Sequence, residues 1–322
     1  MSETDGRLRA TDGIPVIDIG QLVGGEDCPN TLSALRRANE EAGFVYVRNH
    51  GISASIIRDA RASAVAFFML PEAAKAEFTV SRHHRGWLPT GGARMADEAP
   101  VDFKESFIWG EQSDERLPTD HSLRGPNQWP DRQVANFSEH ATQWFDCGQR
   151  LARCLLRGFA ASLNVDNNFF LTCSDRPLSR ASYVYYPRQS TRISDDQFGV
   201  GPHTDFGVLT VLSQDGVGGL QVENANGEWV DAPPIDDTLI VNVGDLLHRW
   251  TNGVFRSARH RVISPSETDR VSLVLAYDPN PETVIDAGDL ELGAVDRPGS
   301  ITCGDYLDWR FSQAFAYRRS TG

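Results

Sequence analysis

The 322 residues carry a formal net charge of −13, from 31 Lys and Arg against 44 Asp and Glu. An acidic surface of that size repels phosphate backbones and anionic lipid, which argues against nucleic acid and membrane as partners and leaves a local cation free to draw in a small anion. With 40% hydrophobic and 23% charged residues, a sizeable buried core is expected, and no apolar run reaches the ~18–20 residues of a membrane span.

The N-terminal MSETDGRLRATDG lacks the basic-then-apolar order of a signal peptide. The five cysteines are odd in number and scattered, without a C-x-x-C pattern, so reduced thiols and a cytoplasmic location are expected. IPVIDI at 14–19 alternates apolar and polar residues as a short strand does. A helix is predicted from an N-cap at Thr31 to a stop at Gly43, then a strand over FVYV at 44–47. Ser53 caps a second helix that runs to about Phe68, before Pro71. Residues 81–120, rich in Gly, Pro and charge, read as a long excursion with one strand near Phe107.

The longest helical pattern spans 136–163, where Trp144, Leu151, Leu155 and Phe159 recur on one face. After Leu178 the texture changes to short runs of Val, Leu, Tyr and Thr, separated by turn pairs such as Asn226-Gly227 and Asn252-Gly253. That rhythm belongs to a jelly roll or another double-layered β fold. GDYLDWRFSQAFA near the C-terminus returns to helical spacing. No linker divides the chain, and a single domain over 1–322 is expected. Residues 1–120 would form a helix/strand region packed on a β core at 178–280.

Two histidines and an aspartate stand out in that core. His203 and Asp205 are two residues apart, between Gly201-Pro202 and the strand-like run GVLTVL, so they share one face if the backbone is extended. His260 lies in HRVIS, another strand pattern, which can return to the same mouth. Two neutral imidazoles and a carboxylate form the set that leaves half of an octahedral iron(II) open for oxygen chemistry. Arg270 and Ser272 share a face by the same two-residue period. A fixed cation beside a hydroxyl suits the far carboxylate of a dicarboxylate bound to that metal. The turn-rich PSETD at 265–269 suggests that His260 and Arg270 lie on paired antiparallel strands. The adjacent His83 and His84 read as solvated or structural, and Trp250 as core.

These segments resemble the iron(II)- and 2-oxoglutarate-dependent oxygenases of the isopenicillin N synthase-like family. The likeness runs nearly end to end, through IPVIDI, EEAGFVYVRNHGI, FFMLPEAAKAEF, YYP, GPHTDFGVLTVLSQD, VNVGDLLHRWTNG, SARHRVI and RVSLVLAYDPN. The resemblance implies a mainly β fold with flanking helices around a distorted double-stranded β-helix, the jelly-roll or cupin-like core. It implies iron(II) on His203, Asp205 and His260, with 2-oxoglutarate on Arg270, Ser272 and Tyr186 and with oxygen as the other co-substrate. The expected reaction hydroxylates, desaturates or cyclises a small, secondary metabolite and releases succinate and carbon dioxide. An oxidase resembling isopenicillin N synthase, which needs no 2-oxoglutarate, is the alternative, followed by a jelly-roll binding protein without catalysis. Val184 stands where some plant members have Asn. Trp87, Arg94 and Phe107 are the candidate substrate residues, in segments that cover the iron in relatives.

Overall fold

Strict alternation in the strands divides the molecule into two apolar cores. The structure is a computed structural model and describes residues 13–93, 102–112, 121–189, 198–263, 267–290, 292 and 299–319. In chain order the first half contains β1 (Val16–Asp18), α1 (Gly20–Gly24), α2 (Pro29–Glu41), β2 (Phe44–Arg48), α3 (Ala54–Phe68), α4 (Glu72–Ala76), β3 (Gly86–Leu88), β4 (Glu105–Gly110) and α5 (Phe137–Ser162). The second half contains β5 (Arg180–Tyr186), β6 (Phe198–His203), β7 (Leu209–Ser213), β8 (Leu220–Glu223), β9 (Trp229–Asp231), β10 (Thr238–Val243), α6 (Asp245–Trp250), β11 (His260–Ile263), β12 (Arg270–Tyr277), β13 (Val284–Ile285), β14 (Ile301–Thr302) and α7 (Cys303–Ala314).

An eight-stranded sheet has the order β1-β2-β10-β7-β12-β5-β4-β3, and a four-stranded sheet the order β6-β11-β8-β9. Strands from the N-terminal third and from the β-rich half therefore share one sheet. Val45 and Val47 of β2, Tyr183 and Tyr185 of β5, and Leu273 and Leu275 of β12 face the helices, where they meet the α5 face of Trp144, Leu151, Leu155 and Phe159. The alternate residues, Phe44 and Tyr46, Val184 and Tyr186, form a second core with Val200, Leu220 and Val262 of the small sheet. This pleat gives the large sheet a helix-facing side and a side that closes over the small sheet, the arrangement of a distorted double-stranded β-helix.

Most expected elements lie where the sequence placed them, with some differences. α2 begins at Pro29, whose missing N–H suits the first helical turn, and Thr31 lies inside it, with its Oγ1 donating to the Asp18 carbonyl. Gly43 ends that segment at φ +68, where a side chain would strike the Arg256 carbonyl. Ser53 caps α3, with its Oγ accepting from Ser55 N. The described residues of the 81–120 excursion hold two strands, because β3 is a three-residue edge strand too short to show a period.

One pairing is corrected. β11 bonds to β6 and β8 in the small sheet, whereas β12 bonds to β5 and β7 in the large one. His260 and Arg270 therefore face each other across the sandwich and are not neighbours on a hairpin.

Candidate metal centre and carboxylate seat

Three side chains meet at the mouth between the sheets. His203 ends β6 and Asp205 follows in the crossing to β7, so the pair sits at a sheet-to-sheet joint and not at the start of a strand. His260 opens β11 and pairs in register with His203. Their ring centroids are 4.2 Å apart. Asp205 Oδ1 lies 3.9 Å from His203 Nε2 and 3.6 Å from His260 Nε2. All three donor atoms fall within 4.8 Å of one another, close enough to share one ion, and this is the candidate metal group found among the described residues.

Hydrogen bonds fix which nitrogen is free. His203 Nδ1 donates to the Gly201 carbonyl at 2.8 Å and His260 Nδ1 to the Ala258 carbonyl at 3.2 Å. A carbonyl only accepts, so each Nδ1 carries a proton and Nε2 is the nitrogen of each ring that faces Asp205. Burial pushes His203 down to about 3, helped by the neighbouring His260 ring, so this imidazole is neutral at ordinary pH. Burial alone would raise the Asp205 carboxyl. The His260 and His203 rings and the hydrogen bonds from Thr210 and Asn242 outweigh it and hold the group below its ordinary range. Asn242 Nδ2 donates to Asp205 Oδ2 at 2.7 Å, which leaves Oδ1 turned toward the imidazoles. Thr204 faces the other way, and its hydroxyl donates to Asp245 Oδ2.

Arg270 and Ser272 lie across the cavity on β12. Arg270 is 1% exposed; its Nη2 donates to Gln214 Oε1 at 3.2 Å, while its Nε and Nη1 and the Ser272 hydroxyl have no partner. Its guanidinium stacks on the Tyr186 ring, 4.6 Å from the centroid. Buried donors without partners are costly, so a seat of this kind fits a ligand that supplies the missing acceptors, as a carboxylate does. The cavity between the two groups measures about 200 Å³. A wider groove of about 1210 Å³ beside α3 and the 213–216 loop contains no comparable donor cluster among the described residues.

The expected substrate residues fare differently. Leu88, Ser106 and Ile108 line the cavity, so the pleat turns Trp87 and Phe107 to the opposite face. Trp87 Nε1 donates to Glu105 Oε2 at 2.7 Å, and Phe107 packs edge-on to Phe67 and Phe137. Both are core residues, which corrects the expectation for them. Arg94 lies outside the described residues. Val184 lines the cavity and offers no hydrogen bond there. Trp250 is buried against Phe169 and Phe170, as core. His83 Nδ1 donates to the Ser122 carbonyl, whereas His84 is buried, lines the cavity and pairs with the Tyr317 hydroxyl. Sequence reading missed Asn242, which lines the cavity and whose signal lay in the alternation of TLIVNV.

Known proteins share this sequence pattern and fold. Residues 14–132 match the family described as non-haem dioxygenase in morphine synthesis N-terminal, and residues 177–279 match the 2OG-Fe(II) oxygenase superfamily. A homoarginine-6-hydroxylase of Oryza sativa is 32% identical over 318 residues, covering 91% of this chain and 95% of that one. A full-length Neurospora crassa protein, solved with alpha-KG and 5-formyluracil, superposes with a TM-score of 0.83 at 30% identity, covering 97% of this chain and 99% of that one. JOX2, solved with 2OG, Fe and JA, superposes with a TM-score of 0.77 at 25% identity, covering 95% and 87%.

Proposed function

The chain belongs to the iron(II)- and 2-oxoglutarate-dependent oxygenases and acts on a small molecule, and we propose that it hydroxylates a C–H bond of a small metabolite, releasing succinate and carbon dioxide. The proposed iron ligands are His203, Asp205 and His260. The proposed seat of the co-substrate's distal carboxylate is Arg270 with Ser272, and Tyr186 as the platform beneath the guanidinium. The observation that carries the reading is the pairing of three converged donor atoms with an opposing buried cation whose Nε and Nη1 are unpartnered. The matched family and the neighbours solved with 2-oxoglutarate favour that co-substrate over the alternative oxidase, since the Arg270 and Ser272 donors would serve either enzyme's carboxylate. Hydroxylation, in preference to desaturation or ring formation, is supported by the rice relative's name.

When bound, iron and 2-oxoglutarate supply the oxidising chemistry; the protein supplies position and water exclusion. Arg270 acts as an anchor, since a guanidinium neither gains nor gives a proton at working pH. Its stacking on Tyr186 fixes the plane in which a carboxylate is received. His203 and His260 hold their protons on Nδ1 against backbone carbonyls, which keeps both Nε2 atoms available as donors. Asn242 holds the Asp205 carboxylate so that it offers a single oxygen. We read the chain as one domain, supported by β1 to β5 sharing a sheet, and as cytoplasmic, supported by five free cysteines. Among the described residues no helix is long and apolar enough to cross a membrane.

Anaerobic addition of iron(II) and 2-oxoglutarate should produce a metal-to-ligand charge-transfer absorption band. Its absence in the wild-type protein sinks the reading. Its survival in the paired His203→Ala, Asp205→Ala variant places the metal elsewhere.

A further inference from the structure

The cavity is a corridor with an arginine at each end. Its inward positions are Arg180, Ser182, Val184 and Tyr186 on β5, and Arg270, Ser272, Val274 and Ala276 on β12. Antiparallel register sets Arg270 against Tyr186 and Ala276 against Arg180. Six residues at about 3.3 Å each put the two ends about 20 Å apart. A co-substrate reaching from Arg270 toward the metal ligands fills one half. The other half, bounded by Leu88, Ile108, Phe315 and Arg180, is left for the molecule that is oxidised.

Arg180 is built to receive something. It is 7% exposed, with Nη1 donating to the Leu178 carbonyl at 3.2 Å and lying 2.9 Å from Asp278 Oδ2. Its other edge, Nε with Nη2, bonds none of the described residues, and that edge is the fork that matches a carboxylate side-on.

The local charge points the same way. Arg180 faces Asp278, but a second cation, Arg85, is 2% exposed and lies in salt-bridge reach of no described carboxylate. The Arg85 guanidinium occupies the space over Gly110, the residue paired with Arg180. Its Nη1 donates to the His83 and His84 carbonyls and its Nε has no partner. Burial, with Arg180 beside it, pushes Arg85 down to about 9. His84, pressed between Phe311 and Phe315, is held neutral by burial and by the same arginines. Among the described residues, Arg180 and Arg85 against Asp278, two cations against one carboxylate, leave this end of the corridor short of one negative charge.

We propose that the substrate bears a carboxylate seated on the Nε–Nη2 edge of Arg180, so that the oxidised carbon lies within about 10 Å of that carboxylate, half the corridor length. The inference rests on the proposed function, since it takes the Arg270 end as occupied by 2-oxoglutarate. Asp278 then holds the guanidinium flat against the Phe311 ring, 4.9 Å from its centroid.

The test uses the full chain with Mn(II) and 2-oxoglutarate bound, titrated calorimetrically with monocarboxylates of four to ten carbons and with their primary amides. Carboxylates should bind at least tenfold more tightly than the matched amides. Arg180→Gln alone would leave Asp278 buried and unpaired, so the paired Arg180→Gln, Asp278→Asn variant is the decisive one; it should erase the preference and leave 2-oxoglutarate binding intact. Equal binding of acids and amides by the wild-type protein, or a preference that persists in the paired variant, overturns the proposal. Failure of the metal-loaded wild type to bind 2-oxoglutarate would instead remove the functional reading beneath it, and this inference with it.

Discussion

Replacing Arg270 with Met should have opposite effects on the empty protein and on co-substrate binding. In the empty protein the guanidinium is buried with one 3.2 Å hydrogen bond, to Gln214, and with two nitrogens unpartnered. Met keeps much of the stem volume and removes the buried charge. The lost stacking on Tyr186 costs about 1–2 kcal/mol and the lost hydrogen bond about 1.5–3, against a burial penalty of several kcal/mol that disappears. The metal-free variant should therefore be unchanged or up to about 2 kcal/mol more stable, read from its urea midpoint. Co-substrate binding moves the other way. Two charge-assisted hydrogen bonds at about 1.5–3 kcal/mol each amount to about 3–6 kcal/mol, which at about 1.4 kcal/mol per decade is a 10²- to 10⁴-fold loss in 2-oxoglutarate affinity. Anaerobic titration of the charge-transfer band with iron(II) present measures it. A change of less than about threefold, or a metal-free variant destabilised by more than about 3 kcal/mol, would refute Arg270 as an anchor kept at a cost to folding.

Asn242→Leu removes the donor that orients Asp205, and metal affinity should fall about 10–100-fold, measured by competition with a chelator, while the urea midpoint shifts little. Unchanged affinity would mean that the carboxylate orients itself. The metal-free protein should also lose stability on acidification. His203, at about 3, and His84 are both held below the ordinary 6.5 by burial, so the unfolded chain takes up protons first as pH falls. Their contribution is complete above 6.5 and is lost progressively on the way down to about 3. Urea midpoints should therefore drop between about pH 7.5 and about pH 5. A flat or rising profile would contradict the neutral, buried state of these rings.

The donor set was legible because two-residue spacing in extended chain is a strong local constraint, and His203-Thr204-Asp205 kept its phase even at the end of a strand. The cross-sheet relation of His260 to Arg270 was not legible. PSETD announces that the chain reverses, but turn chemistry is local and says nothing about which sheet receives the next strand. Trp87 and Phe107 were misread for a related reason. Residue type suggested a pocket, but the phase of two short strands was hidden among Gly, Pro and charge, and phase alone decides that Leu88, Ser106 and Ile108 face inward. Arg180 reads in sequence as an ordinary charged residue at a strand's start; only the register with β12 shows that it shares a face with Ser272.

The division of labour between the sheets carries a further consequence. Both imidazoles belong to the small sheet, Arg270 and Ser272 belong to the large one, and Asp205 lies in the chain that crosses between them. A ligand that touches metal and arginine together must span the gap between the sheets. That gap is set by the apolar layer of Val184, Val200, Leu220 and Val262, whose side chains carry no polar atom. Sandwich cores pack about 10 Å thick and resist small changes in volume. These aliphatic residues therefore act as the spacer that sets the distance between Arg270 and the His203, Asp205 and His260 group, the half of the corridor proposed for 2-oxoglutarate. Phe103 N, donating to the Phe198 carbonyl, and Asp102 Oδ1, accepting from Gly201 N, tie the lead-in to β4 onto β6 and hold the same spacing at the mouth. Spacing around the proposed metal site is thus set as much by hydrocarbon packing and backbone hydrogen bonds as by the donors themselves.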